Sequence, residues 1–133
     1  MSYSESSFQS DFARALRAHG WSLGSAALEL KICKGTSLPF SAIAPHQYQS
    51  LLDAKHSFLY HKISDASAGY KPMDCFILSG SAAYIVILYY QKRMPKKALF
   101  IDIDSIVAER DNGTRKSLTM ERASDIASYA IDI

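Results

Sequence analysis

Residues 26–33 read Ala-Ala-Leu-Glu-Leu-Lys-Ile-Cys, an apolar run broken only by two opposite charges. Successive side chains of a strand point to opposite faces, so Glu29 and Lys31 share one face while Leu30 and Ile32 take the other. A near-continuous apolar run is what a strand covered on both faces needs. The spacing therefore predicts a central strand over Ala26–Cys33, with secondary structure packed on each side of its sheet. The charged pair is the exception that needs a reason.

The rest of the chain supplies the layers. Phe8, Phe12 and Leu16 fall on one stripe of a helix expected from Ser4 to His19, with Ser4 as N-cap and Gly20 as stop. Gly35, Pro39 and Pro45 mark Lys34 to Pro45 as a loop. A helix is expected from His46 to Lys55, with Pro45 near its first position and Tyr48, Leu51 and Leu52 inward. Phe58 to Ile63 reads as a short strand and Ser64 to Lys71 as a turn. Cys75–Leu78 and Ala83–Tyr90 read as strands of one hairpin joined by Ser79-Gly80-Ser81. Leu99–Ile103 is a further strand, and Asp111-Asn112-Gly113 a turn. Thr119 to Ile131 reads as a closing helix, with Thr119 as N-cap, Glu121 in its first turn, and Ala123, Ile126, Ala127 and Ala130 inward. This order implies an α/β (α+β) fold with one mixed sheet flanked by helices. At 133 residues it reads as a single domain, 1–133.

With 48% apolar and 21% charged residues, the composition is that of an ordinary globular protein. A net charge of +2 permits nucleic-acid binding only if the basic groups gather on one side. The start SYSESSFQSDF lacks a basic-then-apolar leader pattern, and the apolar run Ala82 to Tyr90 is too short to span a bilayer. The expectation is a cytoplasmic protein with no membrane partner. Cys33 and Cys75 are then expected to be reduced and buried, and neither lies in a zinc-binding spacing.

A carboxylate beside an ammonium has a chemical use. Metal-dependent phosphodiester cleavage needs hard oxygen ligands for Mg²⁺ and a group that steers the attacking water and offsets phosphate charge. Glu29 can serve the first need and Lys31 the second. Taken alone, the triplet reads rather as a solvent-facing strand edge. A second acid would strengthen the site, and Asp74, opening the apolar strand after Lys71-Pro72-Met73, is the candidate. It also reads as an ordinary strand-entry turn.

The wider context, LELKICKGTSLPFSAIAPHQ over residues 28–47, resembles the RecU-type Holliday junction resolvases and their phage relatives in the PD-(D/E)XK nuclease superfamily. The matching pieces are Glu29 and Lys31, Ser37 to Pro39, His46 with Gln47, and Lys71, Pro72 and Asp74. The likeness covers roughly residues 26–103. It implies a restriction-endonuclease-like central mixed sheet and Mg²⁺ (or Mn²⁺) held by Asp74, Glu29 and the Leu30 carbonyl. Lys31 would activate water, and Gln47 and Glu5 would support the site. In that family the aspartate strand precedes the E-x-K strand, whereas Asp74 follows Lys31 here. Either the aspartate element has migrated, the reading adopted, or Asp74 is structural.

The bland alternatives stay beside these roles. Glu5 also suits a helix start, Gln47 an ordinary first turn, His46 a cap, and Lys71 an exposed lysine. Expected DNA contacts are Lys34, Lys55, Lys62, Lys71 and the cluster Lys92, Arg93, Lys96 and Lys97, which lies beside Tyr89 and Tyr90. The expected function is a structure-specific endodeoxyribonuclease that resolves Holliday junctions or other branched DNA in recombination and repair. Two symmetric cuts imply a homodimer, with Ala82–Tyr90 a candidate dimer surface or simply core. The alternatives are a restriction- or repair-type nuclease of the same fold, and a DNA-binding module whose catalytic site has decayed.

Overall fold

The computed structural model of the protein describes residues 3–18, 26–62 and 75–133. Its elements, in order, are α1 (Glu5–Ala18), β1 (Ala26–Cys33), β2 (Ser37–Pro39), a 3₁₀ turn (Phe40–Ala42), α2 (Pro45–His56), β3 (Phe58–Lys62), β4 (Cys75–Ser79), β5 (Ala82–Tyr89), β6 (Lys97–Asp102), α3 (Ile103–Asn112), β7 (Ser117–Thr119), α4 (Met120–Ile126) and β8 (Tyr129–Asp132). Four strands form a mixed sheet in the order β1-β5-β6-β8. The β1–β5 pair is parallel, while β6 runs antiparallel to both β5 and β8. The expected mixed α/β architecture is therefore present at this level.

Alternation along the strands sends side chains into two apolar clusters. One contains Ala27, Cys33, Ile85, Ile87 and Ile101 with Leu51 of α2, Ile106 of α3 and Ala123 of α4. The other contains Val86, Leu88 and Phe100 under Phe8 and Phe12 of α1, with Leu28, Leu30 and Ile32 packed against it. Each fully buried side chain of this size contributes roughly 1.5–3 kcal/mol through removal from water. β5 lies between β1 and β6 with both faces covered, and residues 85–88 have no solvent exposure at all. Ile85–Tyr89 is thus core, which takes this part of the strand out of the suggested dimer surface.

Several local expectations are overturned. Among the described residues β1 is an edge strand, not a central one. Its apolar run reflects cover by α1 on one face and α2 on the other, a two-sided burial that does not require two in-plane neighbours. The Ser79-Gly80-Ser81 turn does not close a hairpin: β4 pairs antiparallel with β3, and β5 enters the main sheet. The stretch 34–45 is not all loop, because β2 pairs with β7 and buries Leu38 against Leu118. Residues 103–112 form a helix where the sequence pattern predicts none, capped by the Asp102 carboxylate accepting from the Asp104 N–H at 2.9 Å.

The closing helix also stops early. Thr119 does cap α4, accepting from the Arg122 N–H at 3.2 Å. At Ser128 the chain turns into the sheet, where its N–H donates to the Phe100 carbonyl at 2.8 Å and β8 follows. Ala130 is thus on a strand. Cys33 and Cys75 are both free; Cys33 is buried as expected, whereas Cys75, expected buried too, is only half-buried. Ser64–Lys71 and Gly20 lie outside the described residues, and no described helix is long and apolar enough to cross a membrane.

Candidate functional site

The face of β1 that carries Glu29 and Lys31 looks onto the first turns of α2. Pro45 occupies the first helical position after Ala44, whose methyl side chain has no oxygen to cap the helix. Gln47 does that work from the third position: its Oε1 accepts from the Ala44 N–H at 2.9 Å. The same amide then donates through Nε2 to Glu29 Oε1 at 2.8 Å. Lys31 Nζ stands 3.6 Å from that same oxygen. The Glu29 side chain is 29% exposed and that of Lys31 20%, so the pair is neither solvated freely nor sealed. An ion pair so placed adds little to stability, typically below about 1 kcal/mol.

Beside it opens a cavity of about 420 Å³ bordered by Glu29, His46, Gln47, Ser50 and Leu59. Gln47's hydrogen bond is taken by Glu29 Oε1, not by Oε2. The Leu30 carbonyl has a distinct outlook. Cys33 accepts from the Tyr90 N–H at 2.7 Å, so the Cys33 carbonyl points toward β5. Carbonyls alternate along a strand, which turns those of Lys31 and Glu29 toward β5 and that of Leu30 out of the sheet edge. No protein family, curated protein or solved structure matches the chain. The chemistry of the site therefore rests on its own residues.

Three of the expected site residues, Glu29, Lys31 and Gln47, come together here, with the Leu30 backbone beside them and His46 on the cavity wall. Glu5 does not join them. It is exposed in the first turn of α1, and α1 packs on the opposite face of the sheet. Asp74 and Lys71 lie outside the described residues, as does any distance between Asp74 and Glu29. Among the described residues no three His, Cys, Asp or Glu side chains gather in a metal-binding group.

The expected DNA contacts divide. Lys34, Lys92, Arg93 and Lys97 are exposed. Lys34 follows β1 and the 92–97 segment follows β5, so the two share the carboxyl end of the parallel pair. Lys96 instead sits over the Tyr3 ring, 4.5 Å from its centroid. Lys62 ends β3 opposite Cys75. Lys55 is committed elsewhere: its ammonium contacts Asp102 at 2.8 Å and Asp104 at 2.6 Å, and His56 meets Asp104 at 2.8 Å. The Asp102 and Asp104 carboxylates, above all through hydrogen bonding, hold the Lys55 ammonium above its usual range. Chiefly through its bond to Lys55, the Asp104 carboxyl is held below the carboxylate range. Sequence reasoning missed this network, whose members come together only through the docking of α2 on the β6–α3 corner.

Proposed function

We propose that the protein is a Mg²⁺-dependent endodeoxyribonuclease, acting on four-way junctions or other branched DNA as a homodimer in recombination or repair. The observation that carries this reading is the convergence of Glu29, Lys31 and Gln47 at one cavity. A carboxylate, an ammonium and an amide that fixes the carboxylate are the parts that phosphodiester hydrolysis asks for. The resemblance of residues 28–47 to the RecU-type nucleases supports the same assignment, including a restriction-endonuclease-like arrangement of the sheet.

The donors fit a hard cation. Glu29 Oε2 and the outward Leu30 carbonyl are oxygen ligands, and Mg²⁺ takes one or two carboxylates while keeping several waters. Asp74 is the second carboxylate that the reading asks for. A bound Mg²⁺ supplies Lewis-acid polarisation of the phosphate and an acidified water. The chain's own part is positional. Gln47 fixes the rotamer of Glu29 by holding Oε1, and the Lys31 ammonium lies where it can orient a water and offset charge on a phosphate oxygen. The cavity beside His46 and Ser50 gives a phosphodiester room to approach Glu29 from the α2 side.

The test is nicking of a labelled four-way junction beside a linear duplex of the same arms, in Mg²⁺ and in Mn²⁺. Junction cutting that disappears in both Glu29→Ala and Lys31→Ala is the expected result. Equal cutting by parent and both variants, or no cutting by the parent in either metal, would reject the assignment. Preference for the linear duplex would move it to a restriction- or repair-type nuclease.

A further inference from the structure

The loop that follows α3 carries charge with no part in the site above. Gly113 ends α3, donating its N–H to the Glu109 carbonyl at 3.2 Å. A Cβ at Gly113 would stand 2.8 Å from that carbonyl oxygen, so only glycine lets the chain fold back this tightly. The return brings Thr114, Arg115 and Lys116 alongside the 3₁₀ turn, where the Lys116 carbonyl accepts from the Phe40 N–H at 3.0 Å. Between them lies a cleft of about 390 Å³ bordered by Arg110, Arg115, Lys116, Ser41 and Thr114. Three cations and two hydroxyls face it, and among the described residues no acid lines it.

The neighbouring acids neutralise Arg110 and leave the cleft's other two cations, Arg115 and Lys116, uncompensated. Asp111 pairs with Arg110 at 2.8 Å, and Glu109 is taken by Arg122 at 2.6 Å. Arg115 and Lys116 are exposed and have no ion-pair partner among the described residues. Arg110 is held in place by lying over the Tyr48 ring at 4.5 Å, and Tyr48 in turn donates to the Phe40 carbonyl at 2.9 Å. Guanidinium forks and hydroxyls around an open cleft are donors suited to phosphate oxygens.

Position argues for a chain of phosphates over a single small anion. Tyr48, which anchors Arg110, and Gln47, which anchors Glu29, are adjacent in the first turns of α2. The basic cleft and the Glu29 cavity thus flank the same helix start. In the other direction Arg115 and Thr114 also border a second cleft, which continues to Ser117, Thr119 and the Arg122–Glu109 ion pair. A groove extended on both sides of Arg115 suits a polymer.

We infer that the Arg110–Arg115–Lys116 cleft is a binding site for the phosphate backbone of DNA, guiding a duplex arm past the start of α2 toward Glu29. The assignment of DNA as the ligand rests on the nuclease reading; the phosphate chemistry does not.

Binding of a short labelled duplex is measured by anisotropy across a salt series in EDTA, so that cleavage plays no part. Each phosphate that a cation ceases to neutralise lowers the slope of log K against log salt by about 0.9. Arg115→Ala/Lys116→Ala is expected to lower that slope by about 2 and to weaken binding about tenfold at moderate salt. Arg115→Glu, as a single exposed change, is expected to weaken it as well, while Gln9→Ala, exposed on α1 across the sheet, binds like the parent. An unchanged slope in the double variant overturns the inference. So does saturable binding of inorganic pyrophosphate by a parent that does not bind duplex. A parent whose slope depends on these two cations but which never cuts DNA leaves the cleft standing and removes the nuclease reading. A parent that cuts but whose slope ignores them does the reverse.

Discussion

Gln47 Nε2 donates to Glu29 Oε1 at 2.8 Å, and this bond joins the first turn of α2 to β1. The orientation of the amide is fixed by its two partners. An N–H donor at Ala44 requires the amide oxygen on that side, and the carboxylate requires the nitrogen on the other. A flipped amide would set donor against donor and acceptor against acceptor. One side chain thereby caps a helix and holds the acid of the candidate site.

Gln47→Ala removes both bonds at once. The helix start loses a cap, about 1 kcal/mol, and Glu29 becomes free to rotate away from Lys31. Cleavage is expected to fall about tenfold to a hundredfold, as small displacements of positioned groups do, while thermal melting shifts by only a few degrees. Gln47→Glu keeps the length but sets a carboxylate against Glu29, and is expected to cut no better than the alanine variant at neutral pH. Parallel melting curves and single-turnover nicking rates check this. Full activity in Gln47→Ala would remove the residue from the site.

The Lys55–Asp102–Asp104 network makes a signed prediction about pH. Asp104's carboxyl is held low in the folded state, chiefly by its hydrogen bond from Lys55. Its stabilisation is therefore present above the unfolded carboxylate value near 3.9 and lost as pH falls through the lower folded value. Lys55 is shifted the other way, chiefly by Asp102. Its contribution is full below about pH 10.4 and is lost as pH rises through the higher folded value. The network thus stabilises across the whole range between those limits. Lys55→Met is expected to lower the urea midpoint at pH 7 and to lose less stability than the parent on going to either extreme. A parallel offset at every pH would show that the ammonium carries none of it.

Much of this fold was legible because its signals are local. The Phe8-Phe12-Leu16 stripe, Pro45 before α2 and the apolar run of β5 each predict an element that is present. What was not legible depends on partners distant in the chain. The strand expected over Leu99–Ile103 was followed by no predicted helix, because Ile103, Ile106 and Val107 are β-branched, whereas Asp102 capping Asp104 starts a helix there. The alanines at 127 and 130 carry a helical period, but the open edge of β6 takes residues 129–132 as a strand. Residues 75–79 pair backward to β3 because β5 is parallel to β1 and is reached through α2. In the candidate site, the Glu29–Lys31 proximity follows from the strand period alone. Gln47's contact required knowing that α2 packs on the charged face of β1. Glu5 was misplaced because its sequence position does not say which face α1 covers.

The two cysteines should differ in chemistry. Cys33 is buried and its Sγ donates to the Ser37 carbonyl at 3.4 Å, and burial pushes its thiol up. The thiolate is the reactive form, so Cys33 is expected to resist thiol reagents at neutral pH. Cys75 is half-buried at the start of β4. A disulfide-exchange reagent is expected to titrate one thiol quickly and the second only in denaturant, with the fast phase absent from Cys75→Ser. Two equally fast thiols would contradict the burial of Cys33.

The packing of α1 governs the candidate site from the far side of the sheet. Phe8 is fully buried and Phe12 nearly so, and both close the cluster against which Leu28, Leu30 and Ile32 pack. Since the in-plane partner of β1 among the described residues is β5 alone, that cover is what completes the strand's surroundings. Phe8→Ala is expected to cost about 3–5 kcal/mol, a large share of the roughly 5–15 kcal/mol that holds a domain folded. Gln9→Ala, exposed on the same helix, should stay within about 0.5 kcal/mol of the parent. Urea denaturation of the pair gives the difference directly. If the destabilised variant keeps its junction-cutting rate at low temperature and loses it well before the parent on warming, α1 acts by holding β1. If the rate is lost at all temperatures while the fold remains intact, α1 contributes to the site itself.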